Sequence, residues 1–222
     1  MAFNQSYNTA RPVMSTIETN KVLKNTYFLL AMTLAFSAVT AGISMVMNLP
    51  YFMGLVFSLI AFGVLFVVNK KADSASGVAW VFVFTGLMGA GLGPMLNYYA
   101  AIPNGPSIIA QALGLTGMVF LGLSAYTVST KKDFSFMRNF LVAGLIIVIV
   151  AAIINIFVGS TMGQLAIRSM SALVFSGFIL FDTSRIVRGE ETNYVSATIS
   201  MYLNILNLFT SLLSILGIMN DD

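Results

Sequence analysis

In "FILFDTSRIVRGEE" a carboxylate, Asp182, interrupts an apolar run three residues before the first arginine, Arg185. An ionised carboxylate can accept hydrogen bonds, pair with a cation or exchange a proton, and in an apolar medium its charge is expensive to leave uncompensated. Arg185 is a helical neighbour at i+3 and offers a counter-charge. Further along, Ser200, Asn204, Asn207, Ser211 and Ser214 recur at spacings of four, three, four and three, which puts five polar side chains on one stripe of one helix. Lipid cannot satisfy amides, so this stripe must face protein or trapped water. If the helix carrying Asp182 ends near Val187, the carboxylate lies about 8 Å in at 1.5 Å per residue. Asn204 then lies about 12 Å into the next helix from the same side. Asp182 could therefore accept hydrogen bonds from Asn204 or Asn207. Two readings stand: an aspartate anchored by Arg185 and the amides, or a proton- or cation-responsive group. Glu190 and Glu191 fall in the loop that follows and are expected in solvent.

The chain that positions these groups has 222 residues, 58% hydrophobic and 9% charged, with mean hydropathy +0.89. A soluble domain carries about 25% charged residues, so the medium around most of this chain is expected to be lipid. There is no cysteine and no histidine, which removes disulfides, thiol chemistry, serine–histidine catalysis and imidazole metal sites. No second acid lies within an apolar run. Without a nucleophile and its base, no enzyme is expected, nor any metal or cofactor. The net charge of +3 is spread in short pairs, unlike a nucleic-acid-binding stripe. The first ~25 residues lack the apolar core of a cleaved signal peptide.

A membrane-spanning helix needs roughly 20 mostly apolar residues. Seven segments qualify: 26–47, 51–68, 77–99, 107–128, 140–158, 165–187 and 196–218. No alternation suited to a transmembrane barrel is present. The fold class is therefore all-α, one polytopic seven-helix bundle over 26–218, with a polar tail at 1–25 and a short terminus at 219–222. Arg11, Lys21, Lys24, Lys70, Lys71, Lys131, Lys132, Arg138, Arg185 and Arg188 fall in the tail and alternate loops, and Arg168 is the one exception. The positive-inside rule then places the amino terminus in the cytoplasm and, after seven crossings, the carboxyl terminus outside.

The third span reads "GLMGAGLGPMLN". Gly89 and Gly93 form a small-xxx-small pair with Gly86 on the same side, which suits close helix packing. Pro94 is expected to kink the helix. Asn97 and Asn155 are further intramembrane polar groups, expected to be structural.

Several stretches resemble a known family: "NKVLKNTYFLLAMTLAFSAVTA", "GPMLN", "SAYTVSTKKDFSFM", "INIF" and "RGEETNYVSATISMYLNILNLFTSLLSILG". The chain resembles the Bax inhibitor-1 family of seven-helix membrane proteins from about Asn20 to Gly217. The resemblance implies a bundle whose last helix is wrapped by the other six. For one bacterial branch it implies an inner-membrane protein that binds the FtsH protease as a slowly processed competing substrate, gripped by the tail Met1 to Asn25. For ion-leak members it implies a pH-sensitive calcium or cation path latched by two aspartates. Here the first of these positions is Asp182 and the second is Asn204, and the second span holds no latch arginine. One carboxylate beside an amide lacks the coupled titration of a pair.

Overall fold

The computed structural model describes residues 16–220. Within them seven α-helices are long and apolar enough to cross a membrane. They are α1 (Thr16–Val46), α2 (Met53–Lys71), α3 (Ala75–Ala101), α4 (Gly105–Thr130), α5 (Arg138–Val158), α6 (Thr161–Val187) and α7 (Tyr194–Asn220). All seven expected spans are present. The largest difference is at the start: residues 16–25, assigned to the tail, form the first turns of α1. Residues 1–15 of that tail lie outside the described residues.

The breaks follow local chemistry. Gly159 closes α5 with φ 67°, a conformation that a Cβ disfavours, and its N–H donates to Asn155 O at 2.8 Å. The next residue, Ser160, caps α6 by accepting from Gly163 N at 3.0 Å. Asn193 caps α7: its Oδ1 accepts from Val195 N at 2.8 Å and Ser196 N at 3.1 Å.

The layering inverts that of a soluble protein. In α7, 61% of the apolar window is buried, against 11–33% in the other six. Helix α7 packs chiefly on α6, α4, α1 and α3, while α2 leans on α3 and α5 on α6. The central position of the last helix is thus present, with four close neighbours rather than six. The outer face of α5 exposes Ile146, Ile149, Ile153 and Phe157, because lipid rather than water is its solvent.

Helices α1 and α3 meet through the glycines. A Cβ on Gly89 would strike Ser37 O and Thr40 Oγ1, one on Gly93 would strike Ser44 Oγ, and one on Gly86 would lie 2.7 Å from the Phe36 ring. Helix α3 stays helical through Pro94. A proline cannot donate to the carbonyl four residues back, and that carbonyl, Ala90 O, accepts from Ser44 Oγ at 2.8 Å instead. Asn97 Nδ2 donates to Met45 O at 3.0 Å, tying the far end of α3 to α1.

Tyr202 joins the central helix to this pair. It is fully buried, with its hydroxyl 2.7 Å from Ser37 Oγ and 3.3 Å from Thr85 O, and its ring edge-on to Phe84. Tyr202→Phe keeps the ring and strands two buried partners. It should lower stability by about 1–2 kcal/mol, read as a lower unfolding midpoint in detergent with the helical content unchanged.

Candidate functional site

Helices α6 and α7 run side by side, and Asn204, Ser211 and Ser214 of the polar stripe meet α6. Asn204 Nδ2 donates to Asp182 Oδ2 at 2.8 Å. Farther along, Ser211 Oγ donates to Ser171 Oγ at 3.0 Å, and Gln164 Nε2 approaches Ser214 Oγ at 3.5 Å. The stripe is therefore an interhelical seam. Asn204, Ser211 and Ser214 are buried in it, whereas Ser200 and Asn207 are half-buried.

Asp182 is buried, 9% exposed, and the carboxylate has two compensating neighbours. The amide of Asn204 is one. Arg185 is the other, with Nη1 4.0 Å from Asp182 Oδ1. The guanidinium also lies 5.7 Å from the centre of the Phe181 ring. Asn207, expected as an alternative donor to Asp182, is not brought to it. Its Nδ2 donates to Leu203 O at 2.8 Å on its own helix. At 3.6 residues per turn, three positions beyond Asn204 rotates the amide toward the opposite edge of the stripe.

The loop after α6 keeps Glu190 exposed, as expected, but departs from the expectation of a solvated glutamate at Glu191. Glu191 Oε2 accepts from Arg185 Nη2 at 3.1 Å, and Glu191 Oε1 accepts from Asn193 N at 3.0 Å. Arg188 pairs with both Glu190 and Asp133 of the α4–α5 connection. Ser184 Oγ donates to Lys132 O at 2.9 Å and accepts from Phe134 N at 3.2 Å. Asn193 Nδ2 donates to Asp73 Oδ1 of the α2–α3 connection at 2.6 Å. These contacts bring three connections together over the end where α7 begins. The "EETN" run before α7 carried the capping signal for Asn193. Nothing in the local sequence marked Glu191 as the partner of Arg185, because the chain reverses between them.

This is the basic end of the bundle. Lys21, Lys24, Lys70, Lys71, Lys131, Lys132, Arg138, Arg185 and Arg188 lie at or near it, at alternate helix ends. The opposite end joins Asn97 to Asn48 and Asn220 to Pro103 O, and among the described basic residues only Arg168 belongs to that half. Asp182 lines none of the four main cavities among the described residues. Chemically, the site is a hydrogen-bonded carboxylate–amide contact with one cation beside it.

The family described as inhibitor of apoptosis-promoting Bax1 matches residues 19–221. An uncharacterized membrane protein of Vibrio cholerae is 76% identical over 208 residues, 93% of each chain. The modulator of FtsH protease YccA of Escherichia coli K12 is 46% identical over 209 residues, 94% of each chain. A relative from Escherichia coli O6:H1 with the same identity and coverage is named as the inner membrane protein YccA.

Proposed function

From the premise that the chain belongs to the Bax inhibitor-1 family of multi-pass membrane proteins, we propose that it binds and modulates the FtsH protease. On this reading it is an inner-membrane protein without catalytic activity of its own. It occupies the protease as a slowly processed competing substrate and so restrains attack on other membrane proteins. The observation that carries the proposal is the 46% identity, over 94% of both chains, to a protein named as a modulator of that protease. The distribution of charge supports an orientation with the amino terminus and the basic end in the cytoplasm. The tail would then lie on the cytoplasmic side as a handle.

The structure sharpens the test. Helix α1 begins at Thr16, so deleting residues 1–25 would also remove helical turns that carry Thr19 and Val22 into the bundle. Deleting residues 2–15 leaves every described residue in place. That deletion should lengthen the protein's half-life in cells, abolish co-purification with FtsH and restore turnover of other FtsH substrates. Unchanged degradation and unchanged co-purification of the shortened chain would defeat the handle. Full-length protein that neither co-purifies with FtsH nor alters its turnover of other proteins would defeat the modulator reading itself. The residue of α7 that meets Asp182 is the amide of Asn204 rather than a second carboxylate, which speaks against the cation-leak alternative.

A further inference from the structure

Among the described residues, Arg168 is the one basic side chain in the half of the bundle opposite the basic loops. It lies seven residues into α6, about 10 Å along the helix at 1.5 Å per residue. An arginine at that depth is costly and normally finds a partner. None of the ion pairs among the described residues includes it. Instead it lines a cavity of about 480 Å³ formed by α2, α3, α6 and α7. Ser58, Asn207 and Thr210 line the same cavity. This accounts for the second amide of the α7 stripe: Asn207 belongs to the Arg168 cavity and not to Asp182. Its Nδ2 donates one N–H to Leu203 O, and the other has no acceptor among the described residues.

We propose that this cavity binds the phosphate group of a membrane phospholipid, held by the Arg168 guanidinium and the Asn207 amide. A guanidinium presents paired donors that match phosphate oxygens in a bidentate geometry. The remaining lining favours a lipid over a free anion. Leu55, Met95 and Leu206 supply an apolar wall for an acyl chain, and the exposed aromatic rings of Tyr51 and Phe52 stand at the cavity where α2 begins. An amphipathic ring such as that of Tyr51 settles at the headgroup level of a bilayer. The flanking helices α2 and α6 do not pack extensively on one another, which leaves a side entry from the bilayer. The proposal concerns the end opposite the basic loops and is independent of the protease reading.

The test is native mass spectrometry of the purified full-length chain in detergent, with phosphatidylglycerol, with diacylglycerol of the same acyl chains, and with inorganic phosphate. The wild-type chain should retain phosphatidylglycerol, while diacylglycerol is retained at least about tenfold less. R168Q should lower phosphatidylglycerol retention by about tenfold or more, the scale of a charge-assisted hydrogen-bond pair. R168K, which keeps the charge and loses the bidentate fork, should fall between them, and N207L should weaken retention with Arg168 intact. A loss in R168Q with binding held in part by R168K separates loss of the cation from loss of the fold. Equal retention by R168Q, or of diacylglycerol, would overturn the proposal. Retention of inorganic phosphate without phosphatidylglycerol would make the ligand a free anion and overturn the lipid assignment. Asp221 and Asp222 lie outside the described residues, so D221N/D222N is included. Lipid retention that appears only in that variant would make the chain's own carboxylates the partner of Arg168, and would equally overturn the proposal.

Discussion

Gly89→Val should separate α1 from α3 and destabilise the bundle by about 3 kcal/mol, the upper end of what overpacking costs. A Cβ at this position meets Ser37 O and the hydroxyls of Ser37 and Thr40. One of these is backbone and cannot swing aside, so the helices themselves must move. Ser37 is also a partner of Tyr202. Displacing α1 at Ser37 therefore strains the contact that joins the central helix to the outer pair. A control separates this from a general effect of losing a glycine. Gly122 has nothing within 4 Å of where a Cβ would stand, so Gly122→Ala should be neutral or slightly stabilising. Unfolding midpoints of the two variants in the same detergent check the prediction, and equal midpoints would contradict it.

Asn204→Leu should cost about 1.5–3 kcal/mol, the range for a hydrogen bond to a charged group. It removes the donor 2.8 Å from Asp182 Oδ2 and leaves the buried carboxylate with Arg185 at 4.0 Å. A leucine fills the space but offers no donor. The cost should fall mainly on the stranded partner, and this can be measured. In the double variant Asp182→Leu/Asn204→Leu both polar groups are gone, and replacing both partners by apolar groups can be nearly neutral. The double variant should recover most of the loss, so that the two changes are strongly non-additive in a mutant cycle. Additive losses would mean that the Asp182–Asn204 contact contributes little and that Asp182 is held chiefly by Arg185. Arg185 has a second partner in Glu191 at 3.1 Å. Arg185→Gln should therefore loosen the loop before α7 as well as the carboxylate, whereas Asn204→Leu should leave that loop intact.

Much of this molecule was legible in its sequence. The seven spans could be counted because a bilayer of fixed thickness demands helices of a minimum length. The polar stripe of α7 could be drawn because helical periodicity places residues three and four apart on one face. That stripe also required protein or water against one face of α7, since amides facing lipid would have no partners, and the family resemblance implied its central place. That Asp182 could reach Asn204 or Asn207 followed from depth, because both helices are counted from one membrane face. The glycines of α3 pointed to a close helix neighbour, though not to which one.

Other features needed the tertiary structure. Asn204 and Asn207 share a stripe, yet Asn204 donates to Asp182 while Asn207 turns to Leu203 O and the Arg168 cavity. A stripe about a third of a helix circumference wide touches more than one neighbour, and the rotation of α7 against α6 divides it between them. Glu191 reads as a loop acid in sequence and becomes the partner of Arg185 only when the chain turns back over the end of α6. The Tyr202–Ser37–Thr85 contact joins three helices from distant parts of the chain. Sequence alone determined which residues must avoid lipid and how deep they lie, because hydrophobic length and helical period are local quantities. Which buried polar group meets which was decided only by packing, because a hydrogen bond needs atoms within about 3 Å, and no periodicity specifies the rotation and spacing of separate helices that finely.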